Sequence, residues 1–294
     1  MSLSLAISPC PNDTFVFHAL VHGLVDGAPP IDVTYADIDV TNTAALDGRY
    51  DLVKVSYAAV PWLLDTYTLL PCGGALGRGC GPLLLVRADA ETVGADASQV
   101  AGATVAVPGE RTTAYLLFRL WAAGHDPAKI EVVPFSEIMP GVADGRFDAG
   151  LVIHEARFTY PRYGLHALVD LGEWWERDTG YPIPLGAILA HRERVDAAQA
   201  TEWIRKSVRQ AWAAPAASEA YVLEHAQEME PDVVAQHIAL YVNEFTENLG
   251  DDGHAAVRTL LTRAVNEGLV PITSQRWSDF ELSGDGVNNL GDRP

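Results

Sequence analysis

The chain has 294 residues, 48% of them apolar and 20% charged, the balance of a globular protein of one or two domains able to bury a sizeable core. Twenty Lys and Arg against 39 Asp and Glu give a formal charge of −19, which excludes the basic footprint that nucleic acid or an anionic membrane requires. An anionic ligand would have to be held against the field of the whole protein.

Leu3–Ile7 reads as a short buried strand running into the loop Ser8-Pro9-Cys10-Pro11-Asn12-Asp13-Thr14. A helix over Phe15–His22 follows, stopped by Gly23. This opening has no basic n-region and is broken by Pro9 and Pro11, unlike a secretory leader. With no apolar run near ~18 residues, the expectation is a cytoplasmic protein that does not span a membrane. Ile31–Tyr35 is a second strand, and Thr41 or Asn42 can cap a helix ending near Gly48. Asp47-Gly48-Arg49-Tyr50-Asp51 then leads into a buried strand, Leu52–Val55.

The same order recurs downstream. Ala103–Val107 is a strand, Pro108–Thr113 a turn and cap, Ala114–Ala123 a helix, Ile130–Pro134 a strand and Met139–Ala143 helical. Asp144-Gly145-Arg146-Phe147-Asp148 then leads into the strand Ala149–Ile153 and His154. The two Asp-Gly-Arg-aromatic-Asp segments lie 97 residues apart, 38 and 36 residues after Pro9 and Pro108. Matched order and spacing predict an α/β protein of two similar lobes, each with a mainly parallel sheet built from βαβ units. The apolar stretches Pro82–Val86 and Ile183–Leu189 link the lobes. Residues 1–87 and 190–294 then form lobe one and 88–189 lobe two. Val195–Gly268 reads as several helices whose aromatic residues, Trp203, Trp212 and Tyr241 among them, pack a core. Ser283–Pro294 reads as a frayed end.

Ligands of open α/β sheets bind beyond the carboxyl ends of the strands. That rule selects Ser8–Thr14, Pro108–Thr113, Ser56 and His154, which meet in one cleft if the lobes face each other. His154 ends a strand and titrates near neutrality, so it is either a general base or a satisfied core histidine. Lys54, one of three lysines, sits in an apolar strand and either meets an anionic ligand or pairs with a carboxylate such as Asp37 or Asp39. Ser56 shares its side of the strand and either bonds ligand or caps a helix. Thr112 and Thr113 open a helix whose amide dipoles favour an anion, and Asn42 is a helix cap or a cleft donor. His18 and His22 have the spacing of metal ligands but lack a Glu at 19. The three cysteines support neither a zinc site nor a disulfide framework, and Cys10 reads as a loop residue rather than a nucleophile.

Ser8-Pro9-Cys10-Pro11-Asn12-Asp13-Thr14-Phe15, Lys54-Val55-Ser56-Tyr57, Gly109–Thr113 and Gly150-Leu151-Val152-Ile153-His154-Glu155, with Arg157-Phe158-Thr159-Tyr160, resemble the 1,4-dihydroxy-6-naphthoate synthases of the futalosine route to menaquinone. The resemblance implies a two-lobed fold like the type II periplasmic binding proteins, used as a cytoplasmic lyase. It implies cyclic dehypoxanthinyl futalosine, a small carboxylate-bearing molecule, as substrate. His154 would be the general base, with Lys54, Val55, Ser56, Thr112, Thr113 and Asn42 binding substrate and no metal or organic cofactor. Two rival readings are a chorismate dehydratase of the same pathway and a non-catalytic solute-binding protein. Oligomeric state is not readable from the sequence.

Overall fold

The computed structural model describes residues 2–90, 96–226 and 230–271, so the expected frayed end at Ser283–Pro294 lies outside the described residues. Eleven strands among these form two sheets. The first contains β1 (Leu3–Ile7), β2 (Ile31–Tyr35), β3 (Leu52–Ser56), β4 (Tyr67–Leu69), β5 (Ala75–Gly77) and β11 (Ile183–His191). The second contains β6 (Leu83–Arg87), β7 (Thr104–Val107), β8 (Lys129–Val132), β9 (Ala149–Val152) and β10 (Leu165–Asp170). The helices are α1 (Pro11–Val21), α2 (Ile38–Leu46), α3 (Val60–Leu63), α4 (Thr113–Trp121), α5 (Phe135–Ala143), α6 (Ala156–Thr159), α7 (Leu171–Thr179), α8 (Ala197–Ala213), α9 (Glu219–His225), α10 (Pro231–Tyr241), α11 (Glu244–Glu247) and α12 (Gly250–Asn266).

The repeat read in the sequence is a repeat of structure. In the first sheet β1 pairs in parallel with β2 on one side and β3 on the other, and β7 does the same with β8 and β9 in the second. Each sheet is then extended antiparallel, β11 along β3 and β6 along β9. The sheets are therefore mixed, where mainly parallel ones were expected.

The motif between the repeated elements has a structural job in both copies. Gly48 and Gly145 adopt left-handed φ of 64° and 77°, a turn glycine makes without steric cost. Arg49 and Arg146 lie over the rings of Tyr50 and Phe147, 5.4 and 4.7 Å from their centroids, while those rings bury into the core. The closing aspartates reach back to the first strand of each unit. Asp51 accepts from the Ser4 N–H at 2.8 Å, and Asp148 accepts from the Thr104 N–H at 2.8 Å.

The chain crosses between sheets through the two apolar stretches expected to link the lobes, but each belongs to the sheet it enters. Leu83–Arg87 hydrogen-bonds in the second sheet and Ile183–His191 in the first, so the expected junctions at 87/88 and 189/190 each fall one strand late. Apolar runs of this length are buried strands, since an exposed linker of Leu and Ile would leave their surface in water.

One buried cluster fills the first lobe between β1 and helices α1 and α8, around Leu5, Ile7, Phe17, Leu20, Ile204 and Val208. Another packs α5 on the second sheet through Leu85, Ala106, Ile138, Val142 and Phe147. A third runs from Val53 and Val55 through Tyr57 to Leu117, Phe118, Leu151 and Trp175, joining the two sheets. No helix among the described residues is long and apolar enough to cross a membrane.

Candidate active site

The strand ends named in the sequence do converge. A cleft enclosing about 620 Å³, its open mouth included, is lined by Ser8, Asn12 and Asp13 after β1, by Lys54 and Ser56 on β3, by Thr112, Thr113 and Ala114 at the start of α4, and by Ile153 and His154 after β9. Gly186 on β11 and His237 and Tyr241 on α10 also line it.

Helix α1 begins at Pro11, four residues before the expected start, because proline at the first helical position has φ already set and no N–H to satisfy. The early start places Asn12 and Asp13 on the first turn, beside Lys54. Lys54 and Asp13, both almost wholly buried, form an ion pair. The expected partners, Asp37 and Asp39, are not used: Asp37 is the cap of α2 and Asp39 lies in its first turn. The pair also lines the cleft, so pairing and facing ligand are combined. Asp13 further accepts from the Ser8 N–H at 3.3 Å and from Asn12 Nδ2 at 2.8 Å. The absence of a side chain at Gly186 on the neighbouring β11 is what admits the lysine: a Cβ there would sit 2.6 Å from Lys54 Cε.

Strand alternation sends Lys54 and Ser56 to the cleft and Val55, fully buried, into the core cluster. Val55 is thus removed from the lining set that the resemblance implied. Ser56 does not cap the turn after it. Instead Asn42 Oδ1 accepts from the Ser56 N–H at 2.8 Å, and Asn42 Nδ2 donates to Ser56 Oγ at 3.1 Å. Asn42 sits within α2, which begins at Ile38 rather than at Thr41 or Asn42, and it stands behind Ser56 rather than on the cleft wall. Its Nδ2 also reaches the Arg111 carbonyl, 3.4 Å away across the lobes.

Both threonine hydroxyls of α4 have structural partners. Thr112 Oγ1 accepts from the Tyr115 N–H at 3.1 Å as the helix cap and donates to the Gly109 carbonyl at 2.7 Å. Thr113 Oγ1 donates to the Leu185 carbonyl at 2.8 Å and accepts from the Ala58 N–H at 3.2 Å, tying α4 to the first sheet. What α4 offers the cleft is its first amides: the N–H groups of Thr113 and Ala114 precede any possible helical acceptor.

His154 has φ +56°, the one non-glycine residue among those described in the left-handed region. This conformation costs about 1–3 kcal/mol and persists where the surroundings enforce it. Its side chain is 25% exposed, at the cleft. Burial, then the Lys54 charge, lowers its pKa to about 4, so the ring is neutral at pH 7. Nδ1 contacts Cys10 Sγ, and the Phe135 ring lies 5.7 Å away between centroids. Cys10 is therefore more than a loop residue: Ser8 Oγ donates to its sulfur at 2.8 Å and it holds one edge of His154. Burial and the nearby Glu155 carboxylate push its thiol pKa well up, which keeps it protonated and unsuited to act as a nucleophile.

Cys10, His154 and Glu155 bring one ligand atom each within 4.8 Å of one another, the one such group among the described residues. A thiol held protonated works against metal ligation. The His18 and His22 rings lie tilted to each other, 4.4 Å apart between centroids, and the His22 Nδ1 is bonded to the His18 carbonyl at 2.8 Å.

Sequence reasoning missed Gly186, His237 and Tyr241, and it selected the loop containing Asp13 without giving that residue a role of its own. The α10 aromatic face was expected to be core, and Tyr241 is buried as a core residue is, yet it lines the cleft.

The fold recurs in solved structures. The alkanesulfonate-binding protein of Xanthomonas axonopodis pv. citri superposes with a TM-score of 0.68 at 14% identity, over 92% of this chain and 94% of that one. The nitrate-binding protein of Synechocystis gives 0.69 at 14% identity, over 95% and 85%. These place the chain in the two-lobed periplasmic-binding-protein-like fold. A protein of Archaeoglobus fulgidus matches at TM-score 0.82 and 30% identity, over 92% and 98%. Among curated proteins, the 1,4-dihydroxy-6-naphthoate synthase of Streptomyces coelicolor is 62% identical over 276 residues, covering 92% of this chain and 95% of that protein. Its counterpart from Thermus thermophilus is 46% identical, covering 91% and 96%. The family model described as menaquinone biosynthesis matches residues 3–266, which takes in both sheets and every cleft residue named above, and the chain belongs to that family.

Proposed function

We propose that the cleft converts cyclic dehypoxanthinyl futalosine to 1,4-dihydroxy-6-naphthoate, with His154 as the general base. The chain is an enzyme of menaquinone biosynthesis, of the type its 62% and 46% identical relatives are named for. The observation that carries the assignment of the base is a neutral histidine, held out of the ordinary backbone region, in a cleft that also presents the Lys54 ammonium, the Ser56 hydroxyl and the first amides of α4.

The substrate carboxylate fits the amides of Thr113 and Ala114 and the Ser56 hydroxyl, whose oxygen already accepts from Asn42 and whose proton is left to donate. Lys54 contributes an ammonium donor whose charge is offset by its ion pair with Asp13. Closing the lobes over the substrate removes water and strengthens these bonds. Because Nδ1 of His154 is engaged by Cys10, Nε2 is the nitrogen that meets substrate. Base action at Nε2 requires the proton on Nδ1, donated toward the sulfur. His154 removes a proton next to a carbonyl or alcohol, a carbon–carbon bond breaks to release a small sugar-derived fragment, and aromatisation of the bicyclic product draws the step forward. This reading places the protein in the cytoplasm.

The test is turnover. The purified protein should generate the naphthoate chromophore from cyclic dehypoxanthinyl futalosine, and His154→Ala should lower kcat by about 10²–10⁴-fold with the fold retained. Near-normal kcat in folded His154→Ala sinks the base assignment. Loss of chorismate, or binding without turnover, would replace the reaction itself.

A further inference from the structure

His237 lies on α10, in the helical region that carried no functional motif, and is 1% exposed. Its ring lines the cleft and lies 6.4 Å from that of His154. The bonds around it determine which of its nitrogens carries the proton. Asp13, a carboxylate paired with Lys54, can only accept, so the Asn12 amide turns its NH2 toward Asp13 Oδ1, at 2.8 Å. That leaves Asn12 Oδ1, an acceptor, facing His237 Nε2 at 3.0 Å. Nε2 must therefore bear the proton. Nδ1 is then a bare lone pair, buried and without a partner among the described residues.

A buried acceptor left unmet costs about 1–3 kcal/mol, and proteins leave few of them. The remaining polar groups of this cleft, the Ser56 hydroxyl, the Lys54 ammonium and the α4 amides, suit a carboxylate. Nδ1 suits the opposite partner, a donor. We infer that His237 Nδ1 is a substrate-binding acceptor that receives a hydroxyl of the ligand and so orients the hydroxyl-bearing part of the molecule beside His154. Burial, with the Lys54 charge and the repulsion that a protonated His154 would add, holds the His237 pKa well below the usual value, so the ring stays neutral and Nδ1 stays an acceptor at physiological pH. The Tyr241 ring, 4.5 Å away between centroids, backs the imidazole. Resting on the proposed reaction, the inference assigns this hydroxyl to the sugar-derived fragment, whose release the base initiates.

Two measurements on the full chain test it. Long-range 1H–15N spectra of the labelled protein should show His237 as the Nε2–H tautomer. An Nδ1–H tautomer overturns the inference whatever the activity. His237→Gln supplies an amide that can still bond Asn12 but removes the δ acceptor. It should melt within about 2 °C of wild type yet lose about tenfold in kcat/KM, the scale of one buried hydrogen bond. Wild type should also discriminate against a substrate analogue lacking the hydroxyl, and His237→Gln should not. A folded variant with wild-type kcat/KM and unchanged discrimination overturns the inference. If wild type turns over no futalosine derivative at all, the proposed reaction fails and the tautomer spectrum alone decides on His237.

Discussion

Asn42 grips Ser56 at two points, accepting from its N–H at 2.8 Å and donating to its Oγ at 3.1 Å, so that a residue absent from the cleft wall fixes one that forms it. With one lone pair of Oγ taken, the Ser56 hydroxyl proton is free to turn toward a ligand. Asn42→Ala strands a buried N–H and releases the hydroxyl, at a cost of about 1–3 kcal/mol. The expected outcome is a Tm lower by several degrees and a KM raised about tenfold. Steady-state kinetics beside a melting curve check this; an unchanged KM would mean that Ser56 does not touch substrate.

The depressed pKa of His154 has a signed consequence. A base works in its deprotonated form, so the acid limb of kcat/KM should sit near pH 4 rather than at the 6.5 of a free histidine. Activity should stay level as pH falls from 7 to about 5.5, which a pH–rate profile will show. Stability moves differently. Between pH 6.5 and about 4 the unfolded chain binds protons that the folded His154 refuses, and His237 is shifted in the same direction. Their contribution is complete above 6.5 and is lost as pH falls from there. The slope is at most about 1.4 kcal/mol per pH unit for each group, and less for His154 because its ring is partly exposed. Denaturant titrations at pH 7, 6 and 5 measure it.

The paired aspartates behave as scaffold. Asp148→Ala removes one bond to the Thr104 N–H at an exposed position, and Asp51→Ala removes the bonds to the Ser4 N–H and Oγ together with the 2.9 Å ion pair to Arg194. Losses of about 1 kcal/mol and about 2–3 kcal/mol are expected, with kcat/KM unchanged in both variants. Equal losses, or a fall in activity of either folded variant, would count against the structural reading of the repeat.

Much of this could be read from the sequence because the governing physics is local. Short apolar runs bounded by turn residues gave β1, β2, β3, β7 and β9 to within a residue or two, and the rule of carboxyl strand ends led to His154, Ser56, Thr112 and Thr113. What escaped is held by contacts between distant positions. Asp13 meets Lys54 across 41 residues and Asn12 meets His237 across 225, and neither spacing leaves a trace in a linear pattern. Helix starts moved for a different reason. Cys10 at the cap position of α1 is not a capping residue type, so the usual signal is missing there, whereas Asp37 at the cap of α2 is one and was passed over for Thr41 and Asn42. Val55 shows a rule applied unevenly: the alternation that paired Ser56 with Lys54 also turns Val55 to the core.

His154 sits in a backbone conformation that its neighbours impose on it. Were Cys10, Phe135 or the end of β9 to loosen, the residue would relax toward ordinary φ and swing its ring off the cleft while both sheets stayed intact. The geometry around His154 is therefore expected to be lost before the sheets unfold. On warming or in mild denaturant, inactivation should run ahead of unfolding, and a stabilised variant that tightens only the sheets would gain shelf life without gaining heat-resistant turnover.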